Sequence, residues 1–160
     1  MAVDMFLKLD DIKGDSLDTT HKGEIDVTSW NWGVSQGGGA HAGPGSGTGK
    51  SQVADLVITK KVDRSSPLLF TMSCGGTPIT TGLLTLRKAG GTPLEYIKIT
   101  MTQALITGVS VSLLSGSDDV IETVSLNFAS FTYEYVPQNA DGSGGASIIK
   151  GYNIASNATS

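Results

Sequence analysis

The stretch that most limits the fold is VIETVSLNFASFTYEYV, residues 120–136. Val124, Leu126 and Phe128 alternate with Thr123, Ser125 and Asn127. In an extended chain this pattern puts the apolar set on one face and the polar set on the other. The segment therefore predicts a long strand with a dry face and a wet face. The dry face has to be covered by a second layer, which points to packed sheets or a barrel.

The other ordered segments fit such a partner set. MFLKL (5–9) alternates in part, and EIDVTSWNWGV (24–34) and VADLVITKKV (53–62) are rich in β-branched or aromatic residues. ITTGLLTLRK (79–88) and LEYIKITMTQ (94–103) flank the turn-forming Ala89-Gly90-Gly91-Thr92-Pro93 and predict a hairpin. ALITGVSVSLL (104–114) reads as one more strand. One segment differs. In SSPLLFTMSCGG (65–76), Ser65 or Ser66 can cap a helix start, Pro67 suits its first position, and Gly75 suits its end. This predicts a helix over about residues 66–74, with Leu68, Leu69 and Met72 packing inward and Cys74 as a small buried apolar residue. Residues 35–52 and 137–147, both glycine-rich, read as loops. The expectation is one all-β domain over residues 1–160, a two-sheet barrel or sandwich with a single short helix.

Composition narrows the function. The chain has 160 residues, enough for one domain that folds without disulfide or metal staples. Eleven basic residues against 15 acidic ones give a net charge of −4, so no basic face is offered to nucleic acid. The single cysteine, Cys74, permits no internal disulfide. MAVDMFLKLDDIKGDS lacks the basic and apolar regions of a secretory signal, and no apolar run has the length of a membrane helix. The expectation is a soluble protein made in the cytoplasm, without membrane insertion. Any export would use a route that needs no signal peptide.

GPGSGTGKS, residues 43–51, ends like a phosphate-binding P-loop. The pattern needs glycine at position 44, and this chain has Pro44. The loop should also follow a buried strand and open a helix, yet Gly37-Gly38-Gly39 precedes it and a β-branched segment follows. His21 and His41 lie too far apart to suggest a metal centre, and both read as polar loop residues. Asn139-Ala140-Asp141-Gly142-Ser143 lacks the spaced carboxylates of a calcium loop and reads as a turn. No catalytic constellation and no cofactor is expected. What remains is interaction, because a two-sheet protein has edge strands that pair with other chains unless they are blocked.

Several blocks together carry a resemblance. MAVDMFLKLDDIKGDS, THKGEIDV, SWNWGVSQ, DLVITKKVDRSSP, LRKAGG, VSLNFASFTYEYVPQ and GYNI closely resemble the Hcp proteins, the haemolysin co-regulated proteins of the bacterial type VI secretion system. The match covers nearly the whole chain, with the blocks in order. It implies a β-barrel of two sheets with a flanking helix, similar to phage tail-tube proteins. It further implies a homohexameric ring with a wide hole, and rings that stack into a tube. A contractile sheath drives that tube out of the cell with spike-tip proteins at its end. The lumen of such rings can carry effector proteins.

On that reading the 35–52 loop, with Gly37, Gly38, Gly39, His41, Pro44 and Lys50, is the expected stacking arm. A glycine-rich arm loses much conformational entropy on ordering, so it should settle only against a neighbour. In SWNWG, Trp30 and Trp32 share one face, which suits core or subunit packing. Asn31, with Ser29, is then expected to face the lumen. Ile25 and Val27 fall on the Asn31 face by strict alternation, so this placement requires an irregularity near Thr28. The alternatives are a β-sandwich binding module of carbohydrate or adhesin type, and an enzyme.

Overall fold

A computed structural model describes residues 2–38 and 50–160. In chain order its elements are β1 (Val3–Leu9), β2 (Ile25–Asp26), β3 (Ser29–Asn31), β4 (Val34–Gln36), β5 (Ser51–Val53), β6 (Leu56–Lys61) and α1 (Ser66–Gly75). They continue with β7 (Pro78–Lys88), β8 (Leu94–Leu113), β9 (Val120–Tyr135), β10 (Ile148–Asn153) and β11 (Ala158–Thr159). The class expected from sequence is the class observed: all-β with one short helix.

The long alternating strand organises the molecule. β9 pairs with β8 along nearly its whole length. On its other side, Ile121–Leu126 pairs with β6 and Ser130–Tyr135 pairs with β10. The same strand therefore belongs to two layers that diverge near Ala129. The nine-stranded sheet runs β11-β10-β9-β8-β7-β1-β2, with β3 and β6 branching from β9, and β4–β5 forms a separate two-stranded ribbon. The ladder does not close on itself. The chain instead crosses between layers at Val27–Thr28, where Val27 N–H donates to the Met5 carbonyl and Thr28 N–H to the Thr59 carbonyl. This break supplies the irregularity that the alternation required. Ile25 and Val27 are buried before it, and Trp30 turns inward after it while Asn31 turns outward.

The two expected strands 94–103 and 104–114 are one continuous strand, β8. Gln103 carries a φ of 52°, and Met101 and Ala104, three residues apart, are both buried. The kink swaps the face that β8 presents, so one strand serves both layers. The core gathers Leu7, Ile25, Ile58, Leu84, Ile99 and Leu126, none of them measurably exposed. Close approach also dictates one glycine. A Cβ on Gly82 would lie 3.0 Å from Leu9 Cδ2 and 3.1 Å from Met101 Cε.

The helix starts and stops close to where sequence places it. Asp63 organises its entry: Ser65 N–H donates to Asp63 Oδ1 at 2.9 Å, and Asp63 N–H donates to Ser66 Oγ at 3.0 Å. Gly76, at a φ of 64°, ends it, and the N–H groups of Gly76 and Thr77 both donate to the Met72 carbonyl. Leu69 is fully buried and Met72, one turn on, is half-buried. Burying Leu69 contributes about 1.5–3 kcal/mol. Two expectations fail here. Leu68 is 48% exposed, and Cys74 is exposed as well. The reason is rotation: at 3.6 residues per turn, Leu68 lies about 100° and Cys74 about 140° from Leu69 around the axis.

Loop 35–52 is shorter than expected, because Ser35, Gln36, Ser51 and Gln52 pair in the β4–β5 ribbon. Residues 137–147 form a loop as read, with the Asn139–Ser143 turn closed by Gly142 at a φ of 91°. The extra strands β10 and β11 follow it.

Candidate functional site

Three surfaces and two buried charge clusters stand out. The first surface is an apolar groove beside the ribbon. Trp32 is fixed by an Nε1–H bond to the Ala54 carbonyl at 2.9 Å. Its ring meets Phe131 edge-on at 4.8 Å and lies along Tyr133 at 6.2 Å. Two adjoining cavities of about 280 and 320 Å³ open here and share Val34, Phe131 and Tyr133. Val34 is 67% exposed. Lys150 lines the second cavity, and Lys50 immediately precedes the ribbon strand β5.

The second surface is the far end of the β8–β9 hairpin. The first half of β8 has β7 as neighbour, but among the described residues Ile106–Leu113 pairs only with β9. α1 covers the start of that free edge, where Ser73 Oγ donates to the Ile106 carbonyl at 3.2 Å. Beyond it Val111, Leu113 and Leu114 are exposed, Leu114 at 79%. The hairpin turn then carries Asp118 and Asp119.

The third surface is the wet face of β3, β6, β9 and the upper half of β8. Ser29 pairs with Thr59, Thr59 with Thr123, and Thr123 with Ser110. Asn31 pairs with Val57, Val57 with Ser125, and Ser125 with Gly108. Hydroxyl-bearing and small residues, with Val57 among them, thus fill the middle of this face, and Lys61, Ile121 and Ser112 form the next row. At its edge Asp55 accepts from Thr107 Oγ1 at 2.7 Å and from Asn127 Nδ2 at 2.9 Å.

The charge clusters were missed in the sequence. Lys60 is fully buried and Glu122 is 1% exposed. Lys60 Nζ donates at 3.0 Å to Glu122 Oε1, Ser66 Oγ and the Lys61 carbonyl, and lies 3.0 Å from Asp63 Oδ1. Burial opposes the charge on Asp63, yet hydrogen bonds from Ser65 and Lys60 outweigh it and hold that carboxyl below its usual range. The cluster ties β6, β9 and the start of α1 together. A signal for it existed: Lys60 shares the dry parity of Leu56 and Ile58, and Glu122 that of Val124 and Leu126.

The second cluster surrounds His21, a loop residue as read, which is however buried. Its Nδ1 lies 2.8 Å from Glu24 Oε2 and its Nε2 lies 2.7 Å from Glu95 Oε1. The ring stacks on Phe6 at 4.3 Å, and the Arg87 guanidinium sits over the same phenyl ring at 5.0 Å. Burial opposes the charge on Glu95, but bonds from His21 and Lys98 prevail and lower its carboxyl below the ordinary value. Residues 10–24 carry no periodicity, so nothing in the sequence marked this site.

The sequence-derived site residues distribute as follows. Ser29 and Asn31 are exposed on the hydroxyl-rich face. Gly37, Gly38 and Lys50 are exposed at the base of the arm. Gly39, His41 and Pro44 lie outside the described residues. The segment after Lys50 is strand, where a P-loop would need a helix. Among the described residues no helix is long and apolar enough to cross a membrane.

Comparison with known proteins places this architecture. Residues 6–135 match the sequence profile described as "Type VI secretion system effector, Hcp". The chain is 46% identical over 159 residues to protein hcp1 of Pseudomonas aeruginosa, covering 98% of both chains. A solved type six secretion system protein superposes with a TM-score of 0.93 at 29% identity, over 99% of this chain and 100% of that one. Hcp1 from Salmonella typhimurium gives 0.82 at 38% identity, over 100% of both. These matches define a type VI secretion protein. Within that system the chain belongs to the Hcp family.

Proposed function

We propose that this chain is the repeating subunit of the type VI inner tube, assembling into hexameric rings that stack and carry effector proteins in their lumen. It acts by assembly, not by catalysis. The observation that supports this most is the pairing of family membership with surface left open for other copies. A free sheet edge and an apolar hairpin end lie in one region, and an apolar groove lies in another. A heterologous contact between unlike patches generates rings when its rotation closes.

The hydroxyl-rich face is suited to the lumen. Its middle rows carry hydroxyl and small side chains, with charge confined to Asp55 and Lys61 toward the margins, so it can slide past many cargoes without holding one tightly. Ser29 and Asn31 belong to it on this reading. The contractile sheath and spike-tip proteins are the remaining partners, and export is through the secretion apparatus itself.

The arm based on β4–β5 is assigned to stacking. Deleting residues 37–49 is expected to leave single rings of unchanged mass and to abolish longer stacks, as read by light scattering and negative-stain images. Stacks of wild-type length from the deleted chain would remove the arm from that role. Asn31→Arg is expected to preserve rings and reduce effector loading; unchanged loading would argue against a cargo-facing position.

A further inference from the structure

We propose that the end of the β8–β9 hairpin of one copy seats in the aromatic groove of the next, with Leu113 and Leu114 entering the groove and Asp118 facing Lys150. This deepens the assembly reading, on which it rests, by naming both faces of one subunit contact.

The two faces match in chemistry. The groove is concave and apolar, bounded by Trp30, Trp32, Val34, Phe131 and Tyr133. The hairpin end is apolar, with Leu113 at 58% and Leu114 at 79% exposure. Two adjacent leucines this exposed lose favourable energy in water, and a groove of this lining can take them. The charges also match. Lys150 lines the groove, and Asp118 and Asp119 follow the leucines in the hairpin turn. Asp119 is already paired with Lys61 at 3.1 Å. Among the described residues, neither Asp118 nor Lys150 takes part in an ion pair. On a chain of net charge −4, a lysine beside an apolar groove favours an acidic partner.

The contact has to form between copies. Phe131 marks the groove and Val120, paired with Leu113, marks the hairpin end. Both lie on β9, separated by roughly 36 Å of strand at about 3.3 Å per residue. β8 pairs with the intervening stretch of β9 and β6 holds Ile121–Leu126 from the other side, so the hairpin cannot fold back onto its own groove.

The test is directed crosslinking in the full chain with Cys74→Ser as background. Leu114→Cys and Val34→Cys alter exposed positions, and circular dichroism verifies that each variant keeps its strands. Mixed under oxidising conditions, the two variants are expected to give a disulfide-linked dimer as the main product, with little from either alone. A second measurement uses charge. Asp118→Lys is expected to raise the concentration for half-assembly several-fold, and Lys150→Glu in the same chain is expected to restore it. If wild-type protein assembles but the mixture does not crosslink and the charge swap does not rescue, the two faces are not partners, and the assembly reading stands without them. If wild-type protein remains a monomer at every concentration, both the assembly reading and this contact fail.

Discussion

At the scale of single residues, stability centres on charges placed in dry sites. Lys60 and Glu122 have too little solvent to be charged alone, and each is tolerable because of the other. Glu122 Oε2 has no hydrogen-bond partner. Lys60→Met leaves that carboxylate uncompensated and is expected to destabilise the fold by about 3–5 kcal/mol in urea unfolding. Adding Glu122→Leu should recover most of the loss. A single substitution costing under about 1 kcal/mol would show that the pair is not tightly coupled. Acid should weaken the fold through Glu95 and Asp63, whose carboxyls are held below their ordinary values. Between the folded and unfolded pKa the unfolded chain binds a proton that the native chain does not, so stability falls as pH falls. The loss is expected to begin near the unfolded carboxylate values of about 4 and to deepen below them. Glu95→Gln should flatten part of that slope, and a midpoint that rises from pH 5 to pH 3 would contradict the assignment. This scale was the least legible in the sequence. Parity put Lys60 and Glu122 on dry faces, but a charged residue on a dry parity reads first as a register break. His21 sat in a segment with no period at all.

At the scale of elements, alternation carried most of the information. β9 was readable because each of its positions is either inside or outside along Glu122–Phe128. β8 reads as two strands in the sequence because Gln103 flips the parity halfway, and a flipped parity looks like an ending. α1 was placed by its caps, but its faces were not. A helix of two to three turns leaves too few apolar positions to fix a rotation, so Leu68 and Cys74 were assigned inward. The segment between β1 and β2 has little pattern and depends on backbone contact. Gly14 N–H donates to the Gly23 carbonyl, and a Cβ on Gly14 would lie 2.5 Å from the Glu24 carbonyl oxygen. Gly14→Ala is therefore expected to push this segment off β2 and cost about 1–3 kcal/mol, read by urea unfolding. A variant as stable as wild type would show that the segment shifts freely.

At the scale of the whole molecule, the sequence established class and family better than it located surfaces. Family resemblance is spread over many blocks, whereas an interface is built from residues distant in the chain. The groove joins β3, the ribbon, β9 and β10, and no local pattern links Val34 to Phe131 and Lys150. The central claim is that these open surfaces exist to meet other copies. The most direct measurement is negative-stain microscopy of the purified full chain, with its mass taken by light scattering on a sizing column. Rings with a central hole and a mass of six subunits of 16.5 kDa each are expected, with some rings stacked. A homogeneous monomer across the accessible concentration range would contradict that claim.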